Sequence, residues 1–356
     1  MKVAMVFPDF SSEKGISKYS TDLIANIKQQ GMNVSQITFL NGKSSSLFKR
    51  IKELKKCDVI HVQHEYNLLG LYGLPYFLFF PWIESFGKKI IVTMHTVPSK
   101  KDIFQGGKLK NSLRKILYVL QNRMIKSISD KIIVHVQSFK DILVNEYYFD
   151  GNKIEVFPHA IIEDIKTSTK EKARKELNLS GNVFLLIGTM TPDHGHDIIL
   201  RQADKMGKTI LIASNPEPVN SRNIGKIRNF LGLNKKIVEE NGFQKFVRFD
   251  LGPISYDKWW KYFAAADLVL LPYRGGVGSG IFADAMAVKK PVVASNGRYF
   301  QDFARDYGCI KLAKNEEDFP NAVKWAIDKK NYRKMIKECR RYFNENGLTP
   351  VSKRYK

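Results

Sequence analysis

LPYRGGVGSGIFADAMAVKKPVVAS, residues Leu271–Ser295, joins the end of an apolar run to a glycine-rich loop, then a stretch of small residues, then a second apolar run. Strand, loop, helix and strand in so short a span make a crossover unit, which lays its two strands parallel. Gly275, Gly276, Gly278 and Gly280 let the chain turn tightly before a helix expected over Ile281–Val288. At such a turn the free N–H groups of Ser279, Gly280 and Ile281 face outward. The helix dipole adds positive potential there, and Arg274 can pair with the same anion. A diphosphate fits this arrangement, whereas the plain alternative is a flexible glycine loop that closes the end of a sheet.

Outward from this stretch the same alternation recurs. Before it come VFLLIG, KTILIAS, KFVRFDLG and DLVLLPY, with a helix expected over Tyr256–Ala265, and after it comes CIKLA. Nearer the amino end run VAMVF, a helix over Ile16–Gln30, then NVSQITFL, DVIHVQ, KIIVTMH, KIIVHVQ and KIEVFPH. The polar connector HAIIEDIKTSTKEKARKEL separates the two series and puts a boundary near residues 160–172. The expectation is an α/β chain of two Rossmann-like doubly wound domains, 1–165 and 166–330. A basic helix from Tyr332 to Asn346 lies in the tail 331–356, free to pack back on the first domain.

Composition narrows the function classes. The chain has 356 residues, 44% hydrophobic and 12% aromatic, so it folds rather than staying disordered. Cys57, Cys309 and Cys339 lie far apart, without zinc or disulfide spacing, and suit a reducing cytoplasm. The opening residues MKVAMVFPDF break at a proline too early for a signal peptide and read as a first strand. Leu68–Ile83, LLGLYGLPYFLFFPWI, is apolar but short for a spanning helix and carries two prolines.

A net charge of +23 will attract anions. The excess is densest in Ser99–Lys131, where cations alternate with Leu, Ile and Tyr at helical spacing. Nucleic acid, an anionic membrane surface and phosphorylated small molecules compete as partners. No zinc-finger or aromatic RNA-binding signature favours the first. The basic helix beside an apolar segment, residues 68–131 together, favours peripheral attachment to the inner face of a membrane over nucleic acid, with a merely solvated basic face as the plain alternative.

In doubly wound sheets ligands collect beyond the carboxyl ends of strands, so the residues after each strand carry the chemistry. After VAMVF the chain reaches Gly15-Ile16-Ser17 at a helix start, an anion site or an ordinary cap. After DVIHVQ stand His64 and Glu65, and after IEVF comes His159. His95, following IIVTM, can donate a hydrogen bond to a substrate hydroxyl or a leaving phosphate. His61 and His135 read as structural. Gly188 and Thr189 after VFLLI form a phosphate-facing turn, and the spacing of His194 and His196 carries no metal expectation without further ligands.

Taken together these segments resemble the family 4 glycosyltransferases of the GT-B fold. GISKYSTDLIANIKQQGMNV, DVIHVQHEYNLLG, IIVTMHTV, SDKIIVHVQSFKDIL, KIEVFPHAI, GTMTPDHGHD and YFAAADLVLLPYRGGVGSGIFADAMAVKKPVVAS follow in that family's order over nearly the whole chain. The resemblance implies two Rossmann-like domains facing a central cleft. It implies transfer of a sugar from a nucleotide donor, UDP- or GDP-linked, to an acceptor hydroxyl of a glycan, lipid-linked or polysaccharide precursor. Configuration would be retained, with no metal or other cofactor. The acceptor lies mainly on the first domain, which bears His64, Glu65 and His159, and the nucleotide on the second. Gly15-Ile16-Ser17 corresponds to the family's glycine loop, His95 to its cleft histidine, and Gly188 to His194 to its donor-phosphate turn.

The departures lie in the donor site. Thr189 and His194 stand where the family usually places Arg and Lys on the donor diphosphate. Gly276 and Asp284 stand in place of its two glutamates, and Asp284 becomes the expected ribose contact. A subgroup with a PYR...SG loop shares Pro272, Tyr273, Arg274, Ser279 and Gly280, and there Arg274 supplies charge that Thr189 cannot. Catalysis is expected from His95 and Arg274. A catalytically inactive GT-B scaffold that binds nucleotide or glycan, a GT-B epimerase and a basic nucleic-acid-binding protein remain the competing readings.

Overall fold

The computed structural model describes residues 1–11, 15–104, 107–217, 224–275 and 278–354. The chain divides into two compact units, Met1–Ala160 with Leu348–Lys356, and Ile161–Gly347.

The first unit is built on β1 (Lys2–Pro8), β2 (Asn33–Phe39), β3 (Val59–His64), β4 (Lys89–Met94), β5 (Lys131–Val134) and β6 (Ile154–Val156), ordered β2-β1-β3-β4-β5-β6. All its pairings are parallel. β3 is buried at every position, its polar His61, Gln63 and His64 included, whereas edge strand β2 alternates, with Val34, Ile37 and Phe39 inward. The register aligns Met94 with Val134 and Val134 with Val156. The next residue of each strand, His95, His135 and Phe157, therefore falls in one row at the carboxyl edge.

The second unit repeats the plan with β7 (Val183–Ile187), β8 (Thr209–Ser214), β9 (Val247–Leu251), β10 (Leu268–Leu271), β11 (Val292–Ser295) and β12 (Ile310–Ala313), ordered β12-β11-β10-β7-β8-β9. Its strands are parallel throughout. The order reverses direction between β7 and β10, so this pair is the topological switch point, where a crevice opens beyond the strand ends.

The helix expected over Ile16–Gln30 spans Gly15–Gln29, and that over Tyr256–Ala265 has those bounds, capped by Ser255. The glycine-loop helix spans Gly280–Ala287. The basic helix begins earlier than expected, at Lys329, because Asp328 caps it by accepting from the N–H groups of Lys330 and Asn331. That helix buries Met335, Cys339 and Tyr342 in the second unit, with the Tyr342 ring 5.6 Å from Phe282. The tail 331–356 is thus shared: Leu348–Lys353 packs on helix Gly15–Gln29 of the first unit, where Gln30 Nε2 donates to Ser352 Oγ at 2.6 Å.

Leu68–Ile83 folds as a short turn at Leu71–Gly73 followed by helix Tyr76–Glu84, which buries Tyr76, Phe79, Phe80 and Ile83. Among the described residues no helix is long and apolar enough to cross a membrane.

Candidate functional site

The switch point of the second sheet brings two loops together. After β7 the chain turns at Gly188 (φ 110°) and runs through a helical turn at Pro192–His194 to Gly195. After β10 it passes Pro272, Tyr273 and Arg274 and enters helix Gly280–Ala287 behind the cap Ser279, whose Oγ accepts from the Phe282 N–H at 3.1 Å. A side chain on Gly188 would lie 3.4 Å from Ile281 Cδ1, so the β7 turn rests against the first turn of the helix. Gly280 and Ile281 are the first helical residues, so their N–H groups belong to the first turn, the end of the helix that attracts anions.

Arg274 stitches the loops. Its N–H donates to the Asp193 carbonyl at 2.8 Å, and its guanidinium reaches the Pro192 carbonyl at 3.1 Å, both Asp197 carboxylate oxygens at 2.8 and 2.9 Å, and Glu316 Oε1 at 3.1 Å. The Asp197 bonds raise its pKa above the ordinary arginine range. Its charge is therefore matched within the protein by Asp197 and Glu316, with about a third of the guanidinium side chain exposed.

His194 donates from Nδ1 to the Thr189 carbonyl at 2.6 Å, and its ring leans on Tyr273 with centroids 4.9 Å apart. Burial lowers its pKa, leaving it neutral where the family pattern has a lysine. Asp284, nearly buried one turn into the helix, accepts from Trp259 Nε1 at 3.0 Å. The structure thus gathers Gly188, Thr189, His194, Arg274, Ser279, Gly280 and Ile281 around one end of β7 and β10. Gly276 lies outside the described residues. Among those described, no group of His, Cys, Asp and Glu is arranged to hold a metal ion.

The first unit has its own cluster at the strand ends. Tyr19 from helix Gly15–Gln29 packs on His159 (centroids 4.6 Å), His95 (5.3 Å) and His135 (5.5 Å). His95 Nδ1 lies 3.1 Å from His135 Nε2, and His95 Nε2 lies 2.8 Å from Gln63 Oε1. Burial drives the His95 pKa well below its ordinary value and those of His135 and His159 to about 4 and about 3, so all three are neutral at pH 7. Gly15 is exposed at the helix start, and Ser17, two residues before Tyr19, is buried.

His64 is placed elsewhere. Alternation along β3 turns Gln63 and His61 toward the His95 face and His64 to the other. Its ring lies among Tyr66, Tyr76 and Phe80, with Nε2 3.4 Å from Gln121 Oε1 and a pKa lowered by burial to about 4. Glu65 is half-buried and accepts from the Tyr66 N–H at 3.0 Å. His61 meets Thr93 Oγ1 at 2.8 Å, in the structural role expected of it.

Tyr19, Gln63, His135 and Asp197 are the participants that the motifs did not single out as site residues. His135 reads as interior to a strand in IIVHVQS, yet β5 ends at Val134, which puts it at the edge beside His95. Matching KIIVTMH to KIIVHVQ by their shared start would set it opposite Thr93, and the two-residue offset that pairs Ile91 with Lys131 brings it beside His95.

Two Rossmann-like units with their polar loops gathered at the carboxyl ends of parallel strands define the GT-B class. Residues 14–164 match the model of Glycosyltransferase Family 4, and residues 167–342 that of Glycosyl transferases group 1. The chain belongs to the family 4 glycosyltransferases of this fold. It is 26% identical over 246 residues to D-inositol 3-phosphate glycosyltransferase of Mycobacterium leprae, covering 67% of this chain and 52% of that protein, so the match spans about half the relative's length. The fold is shared with HepE of Anabaena, crystallised with UDP and glucose (TM-score 0.71, 13% identity, 99% of this chain and 98% of that one). It is also shared with sucrose-phosphate synthase of Thermosynechococcus elongatus (TM-score 0.73, 14% identity, 99% and 97%).

Proposed function

We propose that the chain moves a sugar from a nucleoside diphosphate sugar to an acceptor hydroxyl, with retention of configuration and without a required metal. The observation that carries this reading is the pairing of the Gly188 turn with the capped amino end of helix Gly280–Ala287 at the switch point. Amides of that end can receive the diphosphate. Stabilising the charge that grows on the leaving nucleotide is the main catalytic task, and preorganised amides do this with little reorganisation.

In this reading Gly188, Thr189, His194, Ser279, Gly280 and Ile281 line the phosphate cradle and Asp284 meets the ribose. Arg274 holds the two halves of the cradle at a fixed spacing through Asp197. On the first unit His95 meets the sugar or departing phosphate, Gly15 and Ser17 open the neighbouring helix, and Glu65 and His159 face the acceptor, while His64 supports them from the core. HepE's bound UDP supports a uridine donor. The test is a thermal-shift screen against uridine, guanosine and adenosine diphosphates and their sugars, followed by NMR of the product's anomeric proton. A ligand at a hundredfold its Kd adds about 2.7 kcal/mol of apparent stability. Binding without transfer would favour the inactive scaffold, and binding to arbitrary DNA alone would favour the nucleic-acid reading.

We further propose a cytoplasmic protein peripheral on an anionic membrane, with a lipid-linked acceptor. Helix Lys108–Ile128 exposes Leu109, Leu113, Ile116 and Leu120 at helical spacing and contains no Asp or Glu. Leu71, Leu74, Leu78 and Trp82 form a second exposed apolar row on the neighbouring helix segment. Apolar rows flanked by Lys108, Lys110, Arg123 and Lys126 suit the headgroup boundary of an anionic bilayer. Cosedimentation with phosphatidylglycerol vesicles but not phosphatidylcholine vesicles, weakened by Ile116→Asp, is expected. Equal binding to neither would remove the membrane.

A further inference from the structure

The row formed by His95, His135 and Phe157 constrains where protons sit. His135 Nδ1 lies 3.0 Å from the Phe157 carbonyl oxygen, which only accepts, so Nδ1 carries the hydrogen. A neutral His135 then has a bare Nε2. Since that nitrogen faces His95 Nδ1 at 3.1 Å, His95 must donate from Nδ1. A neutral His95 is left with a lone pair on Nε2, the atom that faces Gln63 at 2.8 Å.

Gln63 is suited to this atom. With its Oε1 toward His95 the pair is satisfied only if His95 carries both protons. With the amide turned by 180° its NH2 group donates to the bare Nε2 at the cost of the N–H contact with Met5 Sδ at 3.1 Å, and its Oε1 faces His61 Nε2 at the position now 3.4 Å away. Gln63, His95 and His135 are all buried, so water does not compete for these bonds. The His95 ring therefore has one orientation and one neutral tautomer, each set by a neighbour.

We infer that His135 is a positioning residue that fixes His95 as its Nδ1–H tautomer, making Nε2 an acceptor that Gln63 occupies in the free protein and that a substrate hydroxyl reaches when the Gln63 amide turns aside. This rests on the glycosyltransferase reading only for the identity of the hydroxyl. It also reverses the direction expected from the motif: His95 accepts from the sugar in its neutral form rather than donating to it. A protein-held acceptor there orients a hydroxyl without adding charge to the site.

The test is long-range proton–nitrogen NMR of the ¹⁵N-labelled free protein at pH 7.5, with His95 assigned by comparison with His95→Gln. A protonated Nδ1 and bare Nε2 are expected for His95. His135→Leu should mix the tautomers and lower kcat about 10- to 100-fold with little change in donor KM, the scale seen when the partner that orients a metal-bound histidine is lost. His135→Gln, whose amide can donate to the Phe157 carbonyl and accept from His95, should restore both. A protonated Nε2 in the native protein, or an unshifted spectrum in a folded His135→Leu variant, overturns the assignment. If no donor supports transfer, the functional reading fails, while the spectra still decide the tautomer.

Discussion

The Arg274 guanidinium grips both oxygens of Asp197, at 2.8 and 2.9 Å, across the two loops of the second unit's switch point. The carboxylate is nearly buried and the guanidinium only about a third exposed, so the pair is shielded better than a surface ion pair. Asp197→Asn keeps the shape and removes the charge. It should cost about 1–3 kcal/mol in urea unfolding and raise the donor KM more than it lowers kcat. Arg274→Lys should behave similarly, because an ammonium cannot span both oxygens. An unchanged KM in either variant would detach the clamp from the cradle.

Gly195 offers a sharper steric test. Its φ is 62°, and a Cβ there would sit 1.9 Å from the Pro272 carbonyl oxygen, backbone that cannot step aside. Gly207 has nearly the same φ, 59°, with open space around it. Gly207→Ala should therefore cost only the left-handed backbone penalty of about 1–2 kcal/mol. Gly195→Ala should cost more than about 4 kcal/mol or fail to fold. Equal unfolding midpoints for the two variants would mean that the loops are not packed as described.

Much of this was legible from periodicity. Alternating apolar runs and helical stretches located both sheets, and the glycine loop marked a strand end with a helix opening beside it, because backbone demands leave signatures in residue type; that this strand lies at the switch point follows only from the strand order. Side-chain pairing did not show in the same way. Arg274 after a strand looks identical in sequence whether it faces a phosphate or Asp197, and only the fold brings residue 197 to residue 274. His64 and His95 both follow strands, yet the two-residue alternation of β3 sends one into the core, a distinction that hangs on a strand ending one residue earlier or later.

The buried histidines make stability depend on pH. Burial holds His61, His159 and His196 at about 3 and His64 and His135 at about 4, against about 6.5 in the unfolded chain. Between pH 6.5 and 4 the unfolded state binds more protons, so stability is full above pH 6.5 and falls as the pH drops through that window. Each group contributes up to about 1.4 kcal/mol per pH unit. Unfolding free energies extrapolated from urea titrations at pH 7.5 and 5 should differ by several kcal/mol, and His61→Gln should flatten the slope. A level profile over this range would show that these rings take up protons while folded.

Asp284 decides whether the shorter acid can serve where the family has a glutamate. Trp259 Nε1 donates to its Oδ2 at 3.0 Å, which fixes the carboxylate on the first helical turns beyond Ser279. A ribose hydroxyl needs an anionic acceptor, and Asp284→Asn keeps the size while halving the acceptor capacity and removing the charge. Binding of the nucleoside diphosphate by calorimetry should weaken about 10-fold, near 1.4 kcal/mol. Asp284→Glu adds one methylene toward the same hydroxyl, and tighter binding in that variant would show that the native side chain stops short of the ribose. Unaltered binding in both would place the ribose away from this helix and leave Asp284 as a partner for Trp259.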